Sequence, residues 1–432
     1  MSNFHGGIVF DKAKGNLQAR SVNALRVCLN VDEPAVSVGD TVAKGQSLGT
    51  VAGRVQLATI SGRVTDTSHG LLRIAALSPE EKGTVPAFCK TPFGKRTGKT
   101  LLEATPDELL EEIRSAGILE SDGTVLYDRL KHLAELSENG KLRMAAVSLL
   151  EPDPASLSLS SLGLEMAKEI AGGLAIVLRL LNLPEGVILC DKAHREVVSA
   201  ISRACKESRL IAAEAVENRY PMHHYKLLTR YLAQRELSPR SAPEAAGVVL
   251  LDAECAAAIY CLFATGIPRL CVRTTLWEKG VARVYDLPLG MPLSDLWKLR
   301  LWKSVPAPEK ESGERKFSLK PSNASPVCKG LMNGSIPSDT ADRSLTVLTP
   351  ASDGDSEDDC IRCGRCVEVC PMYLHPYRFL PRHPQWALFG GMLKDGANCI
   401  GCGACSYVCP AKLPLRRYVL RARQEADLSG KV

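Results

Sequence analysis

Eight cysteines near the C-terminus carry the plainest chemistry in this sequence. Cys360, Cys363, Cys366 and Cys370 precede Pro371, and Cys399, Cys402, Cys405 and Cys409 precede Pro410, so one C-x-x-C-x-x-C-x-x-x-C-P run is written twice. Three thiolates spaced by two residues can wrap three corners of an iron-sulfur cubane within a tight turn, and a fourth leaves on the helix that follows. This is the ligand run of 4Fe-4S clusters. Where two such runs occur in one chain, the fourth cysteine serves the other cubane. One expected ligand set is therefore Cys360, Cys363, Cys366 and Cys409, and the other is Cys399, Cys402, Cys405 and Cys370. Zinc explains the pattern less well, because a structural zinc site closes with four ligands and leaves the third cysteine of each run without a role. Pro371 and Pro410 help end each run, since proline removes a backbone donor. Gly364, Gly401 and Gly403 lie between ligands, where the backbone is expected to approach the cluster closely.

The rest of the chain has to position these thiols. At 432 residues and 45% hydrophobic content it has room for two to four domains with ordinary cores. No window approaches the roughly 18 to 20 apolar residues of a membrane span, and the N-terminus MSNFHGGIVFDKAKGN has no apolar signal region. The expected location is cytoplasmic, with any membrane association made through partners. A net charge of +6 without basic runs interleaved with aromatics does not point to nucleic acid. Eight further cysteines (Cys28, Cys89, Cys190, Cys205, Cys255, Cys261, Cys271 and Cys328) are scattered singly in apolar segments and read as buried thiols of a reducing compartment.

Short alternating strands are expected over residues 24–64, punctuated by Gly39-Asp40 and Ser61-Gly62 turns. Their spacing resembles the lipoyl/biotinyl-like barrels, but no lysine stands between Val55 and Ile60 to carry a modification, so a structural module is expected. Residues 80–104 read as a basic connector with Lys90, Lys95, Arg96 and Lys99. Thr105-Pro106-Asp107-Glu108 then opens a helix that Gly117 ends. From 143 to 275 strands alternate with helices: Met144–Leu150, Gly186–Cys190, Leu210–Ala215, Gly247–Leu251 and Leu270–Thr275 are the strands, and Leu162–Leu181 is one of the helices. That alternation favours a parallel sheet covered by helices, a Rossmann-like layer. Residues 303–358 are rich in Pro, Ser, Lys, Glu and Asp and read as linker, with a short strand pair expected near Cys328–Ile336. A basic helix, Pro414–Ala426, closes the chain and offers either a solvated face or a docking surface for an acidic redox partner.

Taken in order, these landmarks resemble the RnfC family, a component of the Rnf ion-translocating electron transport complex. The residues concerned are His5-Gly6-Gly7, the barrel strands, Ser115-Ala116-Gly117-Ile118, Asp191-Lys192, Tyr220-Pro221, Leu287-Pro288-Leu289-Gly290-Met291-Pro292, Pro326-Val327-Cys328-Lys329-Gly330 and the two cysteine runs. The resemblance implies an α/β multidomain chain: an N-terminal lipoyl/biotinyl-like β barrel over 1–80, a Rossmann-like α/β domain over 105–300, a linker with a reduced β-grasp remnant over 301–358, and a two-cluster ferredoxin-like helical domain over 359–432. It also implies membrane subunits of an Rnf-type complex as partners, a soluble donor such as NADH or a ferredoxin-like protein, and a peripheral position on the cytoplasmic face of the membrane. In such subunits FMN splits a hydride pair into single electrons and the clusters carry them onward.

The nucleotide-handling segments depart from that family. Where the family has G-L-G-G-A-G-F-P, this chain has Leu119-Glu120-Ser121-Asp122-Gly123-Thr124-Val125-Leu126-Tyr127. Glu120 and Asp122 would face an anionic phosphate, and only Gly123 remains of the glycines that let backbone N–H groups approach it. The N-A-x-E-C-E-P segment is reduced to Leu149-Leu150-Glu151-Pro152, and Y-P-x-G-G-E becomes Tyr220-Pro221-Met222-His223-His224-Tyr225. His223 and His224 read as packing or surface residues, and no triad or paired carboxylates supply a catalytic group. The expected function is electron transfer through two 4Fe-4S clusters. The alternatives are a complete NADH-oxidising, FMN-dependent subunit and a structural adaptor whose clusters mainly hold the C-terminus together.

Overall fold

The computed structural model describes residues 5–9, 15–78, 91–101, 103–152, 156–278, 281–292, 295, 344–345, 359–381 and 395–428. The strand pair expected near Cys328–Ile336, and most of the linker around it, lie outside the described residues.

The N-terminal strands are β1 (Gly15–Ser21), β2 (Arg26–Asn30), β3 (Glu33–Pro34), β4 (Thr41–Val42), β5 (Ser47–Val51), β6 (Arg54–Leu57), β7 (Gly62–Asp66) and β8 (Leu71–Ala76). Alternation buries Val27, Leu29, Val64, Leu72 and Ile74 on one face. Two small sheets result, ordered β2-β8-β7-β4 and β3-β5-β6. Strand β1 does not join them.

Helix α1 (Phe93–Thr97) lies within the segment expected as a connector, and its neighbourhood has a specific task. Arg96 pairs with Glu112 and Lys99 Nζ lies 2.5 Å from Glu108, both on α2 (Pro106–Ala116), so basic residues here neutralise an acidic helix. Helix α2 starts in a full capping box between Thr105 and Glu108, and Gly117 ends it in the left-handed region.

The alternating region contains α3 (Leu126–Glu138), β9 (Met144–Ser148), α4 (Ser158–Glu165), α5 (Ala167–Leu180), β10 (Glu185–Asp191), α6 (Arg195–Cys205), β11 (Ile211–Val216), α7 (Tyr225–Ala233), β12 (Val248–Leu251) and α8 (Ala253–Thr265). Its four strands form one parallel sheet in the order β11-β10-β9-β12. The helix expected over Leu162–Leu181 is two helices, broken at Met166 by φ −122° and ψ 33°. Helices α5 and α8 pack so closely that a Cβ on Gly173 would stand 1.8 Å from the Ala256 carbonyl oxygen.

The segment Leu270–Thr275 is not a strand of that sheet. Strand β13 (Cys271–Glu278) pairs antiparallel with β14 (Val281–Pro288), β1 adds in parallel to β14, and β15 (Ser344–Leu345) adds to β13, giving the order β1-β14-β13-β15. A buried ion network fixes this sheet to the helices. Asp286 receives both Nε and Nη2 of Arg273 at 2.8 and 2.9 Å and Nη2 of Arg269 at 2.6 Å, while Arg269 Nε reaches Glu254 on α8 at 2.7 Å. Arg273 also reaches Glu165 on α4 at 2.8 Å. The 287–292 landmark joins the same sheet to the N-terminal strands: Cys28 N donates to Gly290 O at 2.8 Å and Thr59 Oγ1 to Leu289 O at 2.7 Å.

The C-terminal unit is built from short pieces: α9 (Arg365–Glu368), α10 (Ala404–Tyr407) and α11 (Leu415–Leu428). Among the described residues no helix is long and apolar enough to cross a membrane.

Candidate iron-sulfur centre

The two cysteine runs fold alike. Arg362 and Gly401, then Gly364 and Gly403, then Tyr373 and Lys412 occupy matching positions in the two runs. All six have positive φ, at 57° and 71°, 79° and 78°, and 55° and 52°. Each run then enters a one-turn helix, α9 or α10, at its third cysteine. The conformation adds a second reason for the glycines: Gly364 and Gly403 sit in the left-handed region, which glycine adopts without strain.

The structure brings the eight cysteines together in two groups of four. A cavity of about 680 Å³ is lined by Cys360, Cys363, Cys366 and Cys409. A much tighter one, about 20 Å³, is lined by Cys370, Cys399, Cys402 and Cys405. Each group takes three cysteines from one run and the fourth from the other. Four thiolates around one zinc ion would lie about 3.8 Å apart at Zn–S distances of about 2.3 Å. Among the described residues, no three His, Cys, Asp or Glu side chains gather closely enough to share a single ion. Four thiols per cavity are the donor set that a 4Fe-4S cluster takes.

Backbone N–H groups already point at the sulfurs. Arg362 N lies 3.4 Å from Cys360 Sγ, Gly401 N 3.3 Å from Cys399 Sγ and Leu374 N 3.4 Å from Cys370 Sγ. Donors of this kind stabilise the negative charge of a cluster. Burial pushes the Cys366 thiol up to about 11 and the Cys402 thiol up to about 12, and raises Cys370, Cys399 and Cys405 as well. Without metal these thiols keep their protons at neutral pH, and cluster assembly has to displace them.

The two centres have different surroundings. Cys363 is exposed and its neighbour Ile361 is 64% exposed, so the first centre faces solvent. The second lies against the parallel sheet, where Met372 and Ile400 pack on Leu150, Val187, Val216 and Leu227. Tyr220 Oη donates to Cys402 O at 2.7 Å. Arg423 Nη1 on α11 donates to Cys399 O at 2.8 Å. His5 stacks on Tyr373 at 4.1 Å, Gly7 N donates to Val369 O at 2.9 Å, and Ile8 bridges to Tyr220. None of these supports was foreseen from sequence. Of the two histidines, His224 caps α7 by accepting from Lys226 N at 3.3 Å, and burial lowers its imidazole to about 3.

The 119–125 loop, which the resemblance sets against the glycine-rich segment, is closed on itself. Glu120 N donates to Thr124 O at 2.9 Å, Gly123 N to Glu120 O at 3.0 Å, Thr124 N to Asp122 Oδ1 at 2.9 Å and Leu126 N to Ile118 O at 3.0 Å. The Glu120 side chain is only 7% exposed and lies 2.5 Å from Arg129, which also donates to Leu250 O at 2.8 Å. Burial pushes the Glu120 carboxyl up to about 7, against the pull of Arg129. These residues do not fit a flavin phosphate.

The 4Fe-4S dicluster domain family matches residues 359–413, and the Nuo51 FMN-binding domain family matches residues 113–261. The RnfC-type subunit of the ion-translocating oxidoreductase complex of Rhodobacter capsulatus is 26% identical over 358 residues, which is 81% of this chain and 67% of that one. The chain is similar to the RnfC subunits of Rnf-type complexes. The RnfC-type subunit of the Na(+)-translocating ferredoxin:NAD(+) oxidoreductase complex of Acetobacterium woodii is 25% identical over 355 residues, covering 79% of this chain and 76% of that one. A chain of an NAD+-reducing [NiFe]-hydrogenase in its H2-reduced state aligns over 78% of this chain and 65% of its own length, at 12% identity and a TM-score of 0.47. The match of 113–261 to an FMN-binding family thus includes the closed 119–125 loop.

Proposed function

We propose that this chain is a peripheral electron-transfer subunit of an Rnf-type ion-translocating oxidoreductase complex. One 4Fe-4S cluster is held by Cys360, Cys363, Cys366 and Cys409, and the other by Cys370, Cys399, Cys402 and Cys405. The observation that carries this reading is the grouping of the eight thiols into two cavities, each drawing its fourth cysteine from the opposite run. Similarity to RnfC subunits over about four fifths of the chain supplies the complex. When bound, such clusters exchange single electrons. The chain's part is to fix their spacing, shield the second and leave the first open to a partner.

The same reading assigns a barrel-sandwich unit to 1–80, a Rossmann-like unit to 105–300, a linker to 301–358 and the dicluster unit to 359–432. It places the chain on the cytoplasmic side of the membrane, against membrane subunits of the complex, with a soluble donor such as NADH or a ferredoxin-like protein upstream. Oxidation of NADH by this chain is left out, because the 119–125 loop turns its N–H groups inward and seats a carboxylate where a phosphate would go. Anaerobic purification with iron, acid-labile sulfide and flavin analysis tests the proposal. Iron and sulfide for two clusters, EPR signals on reduction and no bound flavin are expected. Zinc in place of iron would sink it, and stoichiometric FMN bleached by NADH would return the hydride chemistry to this chain.

A further inference from the structure

Laying the two cysteine runs in register exposes one mismatch with chemical consequences. Tyr377 and Arg416 stand at the same distance along the chain from the first cysteine of their runs. Tyr377 lines the first cavity with its four cysteines, and Arg416 lines the second. Arg416 Nε is buried and has no acceptor among the described residues. A buried guanidinium donor without an acceptor costs free energy that a fold does not ordinarily tolerate. Its backbone is fixed, since Arg416 N donates to Ser406 Oγ at 2.8 Å and holds the start of α11 against α10.

Two other cations stand near this site, but their named donors go to backbone carbonyls rather than to sulfur. Arg423 spends Nη1 on Cys399 O, and Lys226 on α7 spends Nζ on Pro239 O at 2.7 Å. His224 is neutral at ordinary pH. We propose that Arg416 is the direct cationic partner of a 4Fe-4S cluster held by Cys370, Cys399, Cys402 and Cys405, and that it raises the reduction potential of that centre alone. The inference rests on the cluster assignment above. One-electron reduction adds one negative charge to a cluster and no proton. A positive charge at the wall of the site, on a side chain partly withdrawn from water, favours the reduced form, and a donor to sulfur does the same. The first centre has a neutral phenol at the matching place, and its exposed cations Arg362 and Arg365 sit in solvent, where their field is screened.

The test uses the full chain, loaded anaerobically with iron and sulfide and titrated potentiometrically with EPR detection. Arg416→Gln is expected to weaken one centre's hold on its added electron about tenfold, which is about 59 mV for a one-electron couple, and to leave the other midpoint in place. Tyr377→Arg is expected to raise the midpoint of the other centre by a similar factor. Two fully loaded centres with unmoved midpoints in Arg416→Gln would overturn the proposal. Should Arg416→Gln fail to hold its second cluster, Tyr377→Arg decides alone: a raised midpoint supports the role of a cation at this position and an unmoved one overturns it. Failure of the unaltered chain to take up iron for two clusters is a separate result, and it would count against the cluster assignment itself.

Discussion

Cys363 is the one cluster cysteine open to solvent, while burial keeps Cys366, Cys370, Cys399, Cys402 and Cys405 protonated. In the cluster-free chain at pH 8, alkylation should reach Cys363 roughly tenfold faster than any of those five, because thiolate character and access together set the rate. Peptide mapping by mass spectrometry after timed labelling reads this directly, and equal labelling would show that the metal-free runs are open. Tyr220 offers a second residue-scale test. Tyr220→Phe removes the hydrogen bond to Cys402 O and should cost about 1 kcal/mol of stability by denaturant titration. The cysteines and their spacing were legible because thiolate chemistry tolerates few other residues. The contacts of Tyr220 and Arg423 were not, since each reaches a carbonyl far away in sequence. Only aligning the two runs against each other would have singled out Arg416.

Among the elements, α2 was read correctly because its signals are local: Thr105, Pro106, Glu108 and Gly117 each satisfy a helix-end group. Thr105→Ala should destabilise the chain by about 1 kcal/mol, measured as a shift in urea midpoint with unchanged slope. The four parallel strands were equally legible as apolar runs between helices. Strand β13 was misplaced for a physical reason. An apolar run after a helix fits a parallel sheet as well as a separate antiparallel pair, and only the long-range pairing of β1 with β14 distinguishes them. The 119–125 loop teaches the opposite lesson. Loss of glycines predicted a poor phosphate cradle, but that the loop would spend its own N–H groups in internal bonds is visible only in three dimensions.

For the molecule as a whole, the Asp286 network ties the antiparallel sheet to α4 and α8. Burial opposes ionisation of Asp286, but the Arg273 and Arg269 guanidinium groups outweigh it and hold its carboxyl below the ordinary aspartate range. A depressed folded pKa means stability that is fully present above about pH 4 and is lost as pH falls through the lower folded value. Thermal denaturation of the unaltered chain should therefore weaken on acidification below about pH 4. Asp286→Asn, which leaves the two guanidinium groups with one carboxylate each, Glu254 and Glu165, should lose about 3 kcal/mol at neutral pH and show a flatter acid limb. An unchanged acid limb in that variant would place the sensitivity elsewhere.

The first described residues are stitched to two distant parts of the fold: His5 and Gly7 are held by Tyr373 and Val369, and Ile8 by Tyr220. That segment works as a clasp, because it grips both the run that carries Cys370 and Tyr220, whose hydroxyl donates to Cys402 O. Deleting residues 1–9 should leave the parallel sheet folded and make the second centre lose iron to a chelator faster than the first, reversing their relative shelter.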